Sequence, residues 1–211
     1  MPISLSRSTP RPAASRQLRS ACAHGFTLIE VLVVMTISAI LLAIGVPMFN
    51  SSIASMRASE GANSLVASLE LARIEAIRRG TTVSLCRVTS TDPTACDGAA
   101  AGGFAAGDWA AGWMVFADVG GSVVGTFQNG TDERIQIQVP VAVGTATRTQ
   151  ILNTAGAVDV ITFRPDGLRV TAGAQLNFRV AYPQAAQGTA LSCRSVVVDV
   201  SGRTATSRIT C

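Results

Sequence analysis

The side chains that could do chemistry are few in this chain, and their distribution is uneven. All 17 basic residues are arginines, so no lysine is available as a catalytic base or for a Schiff base. The only histidine is His24, and residues 25–211 contain neither histidine nor lysine. This composition excludes Ser-His-Asp and Cys-His nucleophiles, and histidine-ligated metals, from residues 25–211.

A carboxylate pair is another way to build a hydrolytic site. Asp108 and Asp118 are the candidates, but nothing in the sequence separates them from aspartates that cap turns. The cysteines lack the close spacing that is typical of zinc ligands. We therefore expect no enzyme activity, no cofactor and no metal.

Positive charge is concentrated at the N-terminus. The formal net charge is +4, and four arginines, at positions 7, 11, 16 and 19, precede residue 25 in a segment without acids. Without these four, the remaining arginines equal the 13 acidic residues in number. Any affinity of residues 26–211 for polyanions must therefore come from the local placement of arginines rather than from net charge.

The basic segment is followed by an apolar run. Residues 26–49, FTLIEVLVVMTISAILLAIGVPMF, carry a single charge, Glu30. As a helix this run would extend roughly 36 Å, enough to cross a hydrocarbon layer of about 30 Å. The positive-inside rule keeps residues 1–25 in the cytoplasm and exports the rest. The pattern thus predicts a single membrane span.

Glu30 is the unusual residue of this run. A carboxylate near the bilayer centre costs about 3 kcal/mol and is tolerated where a partner neutralises it. Thr27-x-x-Glu30 also fits a capping box, in which the acid serves the helix N-terminus. The two interpretations are compatible, and both stay open.

The sequence Gly25-Phe26-Thr27-Leu28-Ile29-Glu30 before an apolar run resembles the class III signal of type IV pilins and type II secretion pseudopilins. The resemblance implies that a prepilin peptidase cuts between Gly25 and Phe26 and N-methylates Phe26. It also implies that Glu30 pairs with the Phe26 amine of a neighbouring subunit. Pro47 matches the proline that bends pilin helices; alternatively, it marks where the helix leaves the bilayer.

Two alternatives stay open for the N-terminus. An ordinary secretory signal cut near residue 45 would also have a basic leader and an apolar run, but it leaves Glu30 unexplained. A leader of 25 residues is longer than the common pilin leader. Either this is a long-leader variant or translation starts downstream.

The helix is predicted to continue beyond the span. Apolar residues recur at steps of three and four as far as Arg79, where Gly80 stops the helix. They are Ile53, Met56, Ala62, Val66, Leu69, Ala72, Ala76 and Ile77. Short β-favouring runs then alternate with turn signals such as Asn129-Gly130 and Pro165-Asp166-Gly167. The runs are Thr82–Val88, Gly112–Asp118, Ser122–Phe127, Arg134–Val143, Val158–Phe163, Gln175–Tyr182 and Ser195–Ser201.

These elements predict an α+β fold. A long N-terminal helix, transmembrane in its first half and amphipathic in its second, packs on an antiparallel β-sheet in a pilin-like arrangement. We expect a cytoplasmic leader over 1–25, a transmembrane and assembly helix over 26–49, and an amphipathic continuation over 50–80. Residues 81–211 would form a β-rich globular head in the periplasm.

Motifs in the head narrow the resemblance to the GspH/FimT family. They are Cys86-Arg87 with Cys96-Asp97-Gly98 downstream, Trp109–Asp118, Phe163–Gly167 and Val197–Arg203. We expect Trp109–Asp118 to supply a core strand and Phe163–Gly167 to form a turn. Some FimT-like minor pilins take part in DNA uptake through a Gly-Arg-x-Arg segment. Here Gly202-Arg203 is followed by Thr204-Ala205, so the second arginine is missing, and on a strand Arg208 would lie on the other face. DNA binding through Arg203 and Arg208 is the alternative function.

Four cysteines lie after the predicted cut. Cys86, Cys96, Cys193 and Cys211 form an even set in a segment expected outside the cytoplasm, so we expect disulfides. Three connectivities are possible. The short loops favour Cys86–Cys96 and Cys193–Cys211, each stabilising by roughly 3 kcal/mol.

Together these features predict a minor pilin or pseudopilin subunit of a type IV pilus or a type II secretion system. Its expected location is the bacterial inner membrane, crossed once, with the C-terminal domain in the periplasm. Its expected partners are other pilin subunits, the prepilin peptidase and the membrane, with DNA as the alternative partner. The two machines share the helix and the signal, so the sequence does not distinguish them.

Overall fold

A long helix begins the structure, a computed structural model that describes residues 26–97, 104–119, 123–138, 149–170, 175–183 and 190–211. Helix α1 is Leu28–Arg79. At its start the Glu30 N–H donates to Thr27 Oγ1 at 3.3 Å. At its end Gly80 takes a φ of +65° and donates its N–H to the Ala76 carbonyl at 3.0 Å. Both caps follow from the residue types, and the predicted helix is confirmed to within two residues at each end.

The chain divides between Ala43 and Ile44 into two units. The first contains the N-terminal part of α1, which is apolar and exposed on every side. The second contains the rest of α1 and all the strands.

In the second unit, the face of α1 that packs on the sheets consists mainly of alanine. Its buried apolar residues are Ala54, Ala58, Ala62, Leu65, Leu69, Ala72 and Ala76. The predicted stripe was wrong at Met56 and Ile77, which are mostly exposed. Small side chains on this face let the helix backbone approach the sheet closely. At Gly61, a Cβ would lie 3.1 Å from Thr149 Cγ2 and 3.2 Å from Val180 Cγ1.

Eight strands form two antiparallel four-stranded sheets in the described residues, where one sheet was predicted. The strands are β1 (Val83–Arg87), β2 (Trp113–Ala117), β3 (Glu133–Gln138), β4 (Gln150–Asn153), β5 (Val160–Phe163), β6 (Gln175–Pro183), β7 (Ala190–Asp199) and β8 (Thr204–Ile209). The first sheet has the order β3-β2-β1-β5, and the second has the order β4-β6-β7-β8.

The sequence missed two strands and predicted one that the structure does not contain in the described residues. β4 and β8 were not predicted, because their polar residues give little apolar alternation. The described part of Ser122–Phe127, residues 123–127, is turn and loop rather than strand, and Val123 and Val124 are exposed. The second half of Arg134–Val143 lies outside the described residues.

One core unites α1 with both sheets. Trp113, Val115 and Ala117 of β2 belong to it, together with residues from α1, β1, β4, β5, β6 and β7. Met114 and Phe116 point to the other face of β2, where Phe116 packs edge-on against Phe127 with ring centroids 5.3 Å apart. The alternation predicted for β2 therefore places side chains on two buried faces, as in a core strand.

Candidate processing and assembly site

The N-terminus of α1 brings Phe26, Thr27 and Glu30 together. Thr27 caps the helix by accepting the Glu30 N–H, so half of the expected capping box is present. The Glu30 carboxylate is exposed. In the described part of the chain, no cation lies within ion-pair distance of it. The cap thus uses the backbone of Glu30 and leaves its carboxylate available to a partner.

Around Glu30 the helix surface is apolar on all sides. Phe26 is 82% exposed, Val34 58% and Met35 68%. Thr36, a polar residue in this run, donates its hydroxyl to the Val33 carbonyl at 2.8 Å, so its polar group is satisfied within the helix. α1 is long and apolar enough to cross a membrane by length and composition. A helix that is apolar on every face requires lipid or other helices around it.

Gly25 and the side chain of Pro47, both predicted site residues, lie outside the part of the chain that the structure describes. Gly25 is on the leader side of the predicted cut. α1 continues through position 47. A bend there stays a prediction.

The four cysteines form two disulfides in the structure. Cys86 of β1 joins Cys96, with Cα atoms 5.7 Å apart, and Cys193 of β7 joins Cys211, with Cα atoms 5.4 Å apart. Both separations suit a disulfide, and these are the pairs that short loops favour. The first closes the loop after β1, and the second ties the C-terminus to β7.

Arg203 and Arg208 lie in different settings. Arg203 is in the turn before β8, where its N–H donates to Asp199 Oδ1 at 3.0 Å. Arg208 is within β8, directly opposite Arg194 of β7. Both side chains are exposed. The structure therefore does not bring the two arginines together as a pair on one strand face.

The Phe163–Gly167 turn contacts the Val197–Arg203 segment. Gly167 closes a turn by donating its N–H to the Arg164 carbonyl at 2.8 Å. A Cβ on Gly202 would lie 2.4 Å from the Gly167 carbonyl oxygen. Arg73 of α1 donates its Nε to the same oxygen at 3.3 Å. The predicted turn role of Phe163–Gly167 is confirmed, but its contact with Gly202 was missed because the residues are far apart in sequence.

Asp108 and Asp118, the two candidate acids, both accept backbone hydrogen bonds. Asp108 is buried, and its Oδ1 accepts the N–H groups of Ala110 and Ile151, both at 3.0 Å. Asp118 accepts the Gly125 N–H at 3.3 Å. Burial, assisted by the nearby Asp132 carboxylate, raises the pKa of Asp118. Such contacts are typical of aspartates that cap turns.

An ion-pair network fixes the end of α1 to the first sheet. Arg79 bonds Glu75 at 2.6 Å and reaches Glu133 of β3, also at 2.6 Å. Hydrogen bonds from Arg78 and Arg79 hold the pKa of Glu75 at about 2. In the residues that the structure describes, no group of three metal-ligating side chains occurs.

Two known family models match the sequence of this chain. The family described as "Type II transport protein GspH" matches residues 61–202. The "Prokaryotic N-terminal methylation motif" matches residues 21–46, which include Gly25, Phe26 and Glu30. This chain belongs to the GspH family. The predicted GspH/FimT membership is confirmed, and the chain is a pilin-like protein with an N-terminal methylation motif.

Solved structures similar to this GspH-family chain include the type IV minor pilin FimU of Pseudomonas aeruginosa PAO1 in two crystal forms. The P21 form has 16% identity and a TM-score of 0.46, with 71% of this chain and 87% of FimU covered. The P65 form has 17% identity and a TM-score of 0.44, with 71% and 91% covered. Comparison with curated proteins finds no match.

Proposed function

We propose that this chain is a minor pilin or pseudopilin subunit that assembles into a filament through the N-terminal half of α1. Prepilin peptidase cuts between Gly25 and Phe26 and methylates Phe26. Before assembly, residues 26–49 anchor the subunit in the bacterial inner membrane, with the head in the periplasm. The observation that carries the proposal is the apolar, exposed segment of α1 up to Phe49, whose single carboxylate, Glu30, has no cationic partner among the described residues.

The apolar surface of residues 26–49 is buried in lipid before assembly and against the helices of other subunits in the filament. Fully burying one leucine- or isoleucine-sized side chain is worth about 1.5–3 kcal/mol. Residues 26–49 contain many such exposed side chains. Bundling these helices in a filament keeps them away from water when the subunit leaves the bilayer.

Glu30 supplies register to this otherwise non-directional packing. Cleavage creates a positive amine on Phe26, four residues before Glu30, which is roughly 6 Å along a helix. A neighbouring helix displaced along the filament can therefore place its amine against this carboxylate. In an apolar environment such a pair is strongly favoured over an unpaired charge.

The head supports a location outside the cytoplasm. It carries two disulfides, which persist in oxidising compartments.

The test compares Glu30→Gln with Glu60→Gln in cells that lack the wild-type chain. Both variants remove one acid from α1, but Glu60 is in the second unit and pairs with Arg57 at 3.2 Å. We expect both variants to be processed and found in the membrane. Glu30→Gln should fall at least about tenfold in the filament fraction, because breaking a buried pair costs about 3–5 kcal/mol. Entry of Glu30→Gln at the wild-type level would refute the assembly role.

The identity of the adjacent subunit in the filament would show whether this chain belongs to a type IV pilus or to a type II secretion system. A photo-crosslinking residue at position 35, inside the apolar run, would capture the adjacent subunit. Mass spectrometry of the adduct then distinguishes a pilus subunit from a secretion pseudopilin. Capture of neither would contradict packing through this helix.

DNA binding through Arg203 and Arg208 is the alternative function. Exposure of both side chains is compatible with it, whereas their separate settings, in a turn and within β8, remove the paired geometry. A salt titration of duplex DNA binding tests it, because phosphate contacts make affinity fall steeply with salt. Binding that is unchanged in Arg203→Ala and Arg208→Ala would exclude this site.

A further inference from the structure

A polar cavity of about 260 Å³ lies within the second unit, between α1 and the β7–β8 edge of the second sheet. Its polar lining consists of Ser59, Asn63, Arg194, Thr206, Ser207 and Arg208. We call it the arginine cavity. The guanidinium groups of Arg194 and Arg208 lie here with the polar groups of Ser59, Asn63 and Thr206, whereas Ser207 alternates with Arg208 along β8 and has its side chain on the other strand face. Among the described residues, no carboxylate lines it.

The two arginines face each other across neighbouring strands. Arg194 of β7 is directly opposite Arg208 of β8. Both lie on the side of the sheet that faces α1, since Thr204, which shares a strand face with Arg208, donates its hydroxyl to Glu70 of α1 at 2.7 Å. Like charges directly opposite each other destabilise a sheet. The arrangement therefore requires a counter-charge or a cost in stability.

The acids of the adjacent helix face are engaged elsewhere. Glu60 pairs with Arg57 at 3.2 Å, and Glu70 accepts the hydrogen bond from Thr204. Neither lines the cavity. Within the part of the chain that the structure describes, Arg194 and Arg208 have no carboxylate at ion-pair distance.

Arg194 is held in position by a neutral partner. Its Nη2 and Nε donate to Ser59 Oγ at 2.8 and 3.2 Å. Ser59 in turn donates its hydroxyl to the Ser55 carbonyl at 2.7 Å. A hydroxyl oxygen orients the guanidinium without neutralising it. The positive charge is fixed in direction before any ligand arrives.

We propose that the arginine cavity binds a phosphate-class oxyanion. Guanidinium groups match phosphate oxygens in geometry and charge, and the Thr206 hydroxyl and the Asn63 amide can donate to the remaining oxygens. The volume far exceeds the roughly 30 Å³ of one water molecule. Binding supplies the counter-charge that the opposed arginines lack. The site does not depend on filament assembly, and it shares Arg208 but not Arg203 with the alternative DNA-binding site, since Arg203 does not line the cavity.

The experiment measures the thermal unfolding midpoint and calorimetric binding of the full mature chain in neutral detergent, with inorganic phosphate as the probe. Sodium chloride at matched ionic strength is the reference. Arg208→Gln is the test variant, because Arg208 makes no hydrogen bond to Ser59 that the substitution would break. Arg203→Gln is the matched control, since it removes the same charge outside the cavity.

We expect phosphate to raise the midpoint of the wild type saturably. Arg208→Gln should bind at least about tenfold more weakly, as expected for loss of a charge-assisted hydrogen bond, while Arg203→Gln keeps wild-type affinity. Without phosphate and at low salt, Arg208→Gln should unfold at a higher temperature than the wild type. That opposite sign distinguishes a ligand site from a merely structural arginine.

Methyl phosphate and dimethyl phosphate identify the source of the oxyanion. Tighter binding of the monoester indicates free or terminal phosphate, and equal binding of the diester indicates a nucleic-acid or lipid backbone. Either result supports the site. If phosphate stabilised the wild type and Arg208→Gln equally, its effect would be general charge screening, and the proposal would be overturned. Absence of any phosphate effect beyond that of chloride would do the same.

Discussion

Replacing Gly202 with alanine tests the close contact between the Phe163–Gly167 turn and the Val197–Arg203 segment. Gly202 has a φ of +76°, and a Cβ there would lie 2.4 Å from the Gly167 carbonyl oxygen and 3.2 Å from Arg73 Nε. The left-handed conformation costs an alanine about 1–2 kcal/mol. Moving the Gly167 backbone out of overlap adds about 1–3 kcal/mol. We expect Gly202→Ala to lower the unfolding free energy by about 2–5 kcal/mol, a large share of the usual 5–15 kcal/mol.

Gly130→Ala is the matched control. Gly130 also has a positive φ, +88°, but a Cβ there meets nothing within 4 Å. Only the backbone cost of about 1–2 kcal/mol applies to it. Denaturant unfolding in detergent, followed by the fluorescence of the buried Trp109 and Trp113, measures both variants. A loss in Gly202→Ala no larger than in Gly130→Ala would refute the reasoning, because it would show that the contact does not constrain the turn.

Three further predictions concern the head. The pKa of Glu75 is held at about 2, below its ordinary value of 4.5. The stability that the ionised Glu75 carboxylate contributes is therefore present above pH 4.5 and is lost as the pH falls toward 2. Between pH 5 and pH 2.5, the thermal unfolding midpoint of Glu75→Gln should fall less than that of the wild type. Replacing Cys211 with serine should cost roughly 3 kcal/mol of unfolding free energy, and non-reducing peptide mapping should recover Cys193 linked to Cys211; recovery of a crossed pairing would contradict the structure. Asp108→Ala leaves two buried N–H groups without their acceptor and should cost about 2–6 kcal/mol, whereas Asp108→Asn keeps an acceptor oxygen and should cost less in the same denaturant assay; equal losses would argue against the backbone role.

The sequence predicted the helix well because its signals are local. Thr27 and Gly80 mark the two ends through their own backbone and side-chain preferences. The contact face was predicted less well, since it depends on alanines such as Ala54 and Ala58. Alanine is only weakly hydrophobic, so its place in the helix–sheet contact becomes evident only from the structure.

The strands were predicted where apolar alternation is strong, as in β2, and missed where pairing supplies the stability. β8 reads as a polar segment, but its backbone is completed by β7 along six residue pairs. The same limit applies to the candidate sites. Phe26 and Glu30 are recognisable as a local motif, whereas Arg194 and Arg208 become neighbours only through the register of the β7–β8 hairpin.

The most direct test of the central claim is the intact mass of the mature protein purified from the membrane. We expect a chain that begins at Phe26, carries one added methyl group, and has lost two hydrogens for each of two disulfides. A chain that begins near Val46 would contradict it, because the apolar run would then be a cleaved secretory signal and neither Phe26 nor Glu30 would reach the filament.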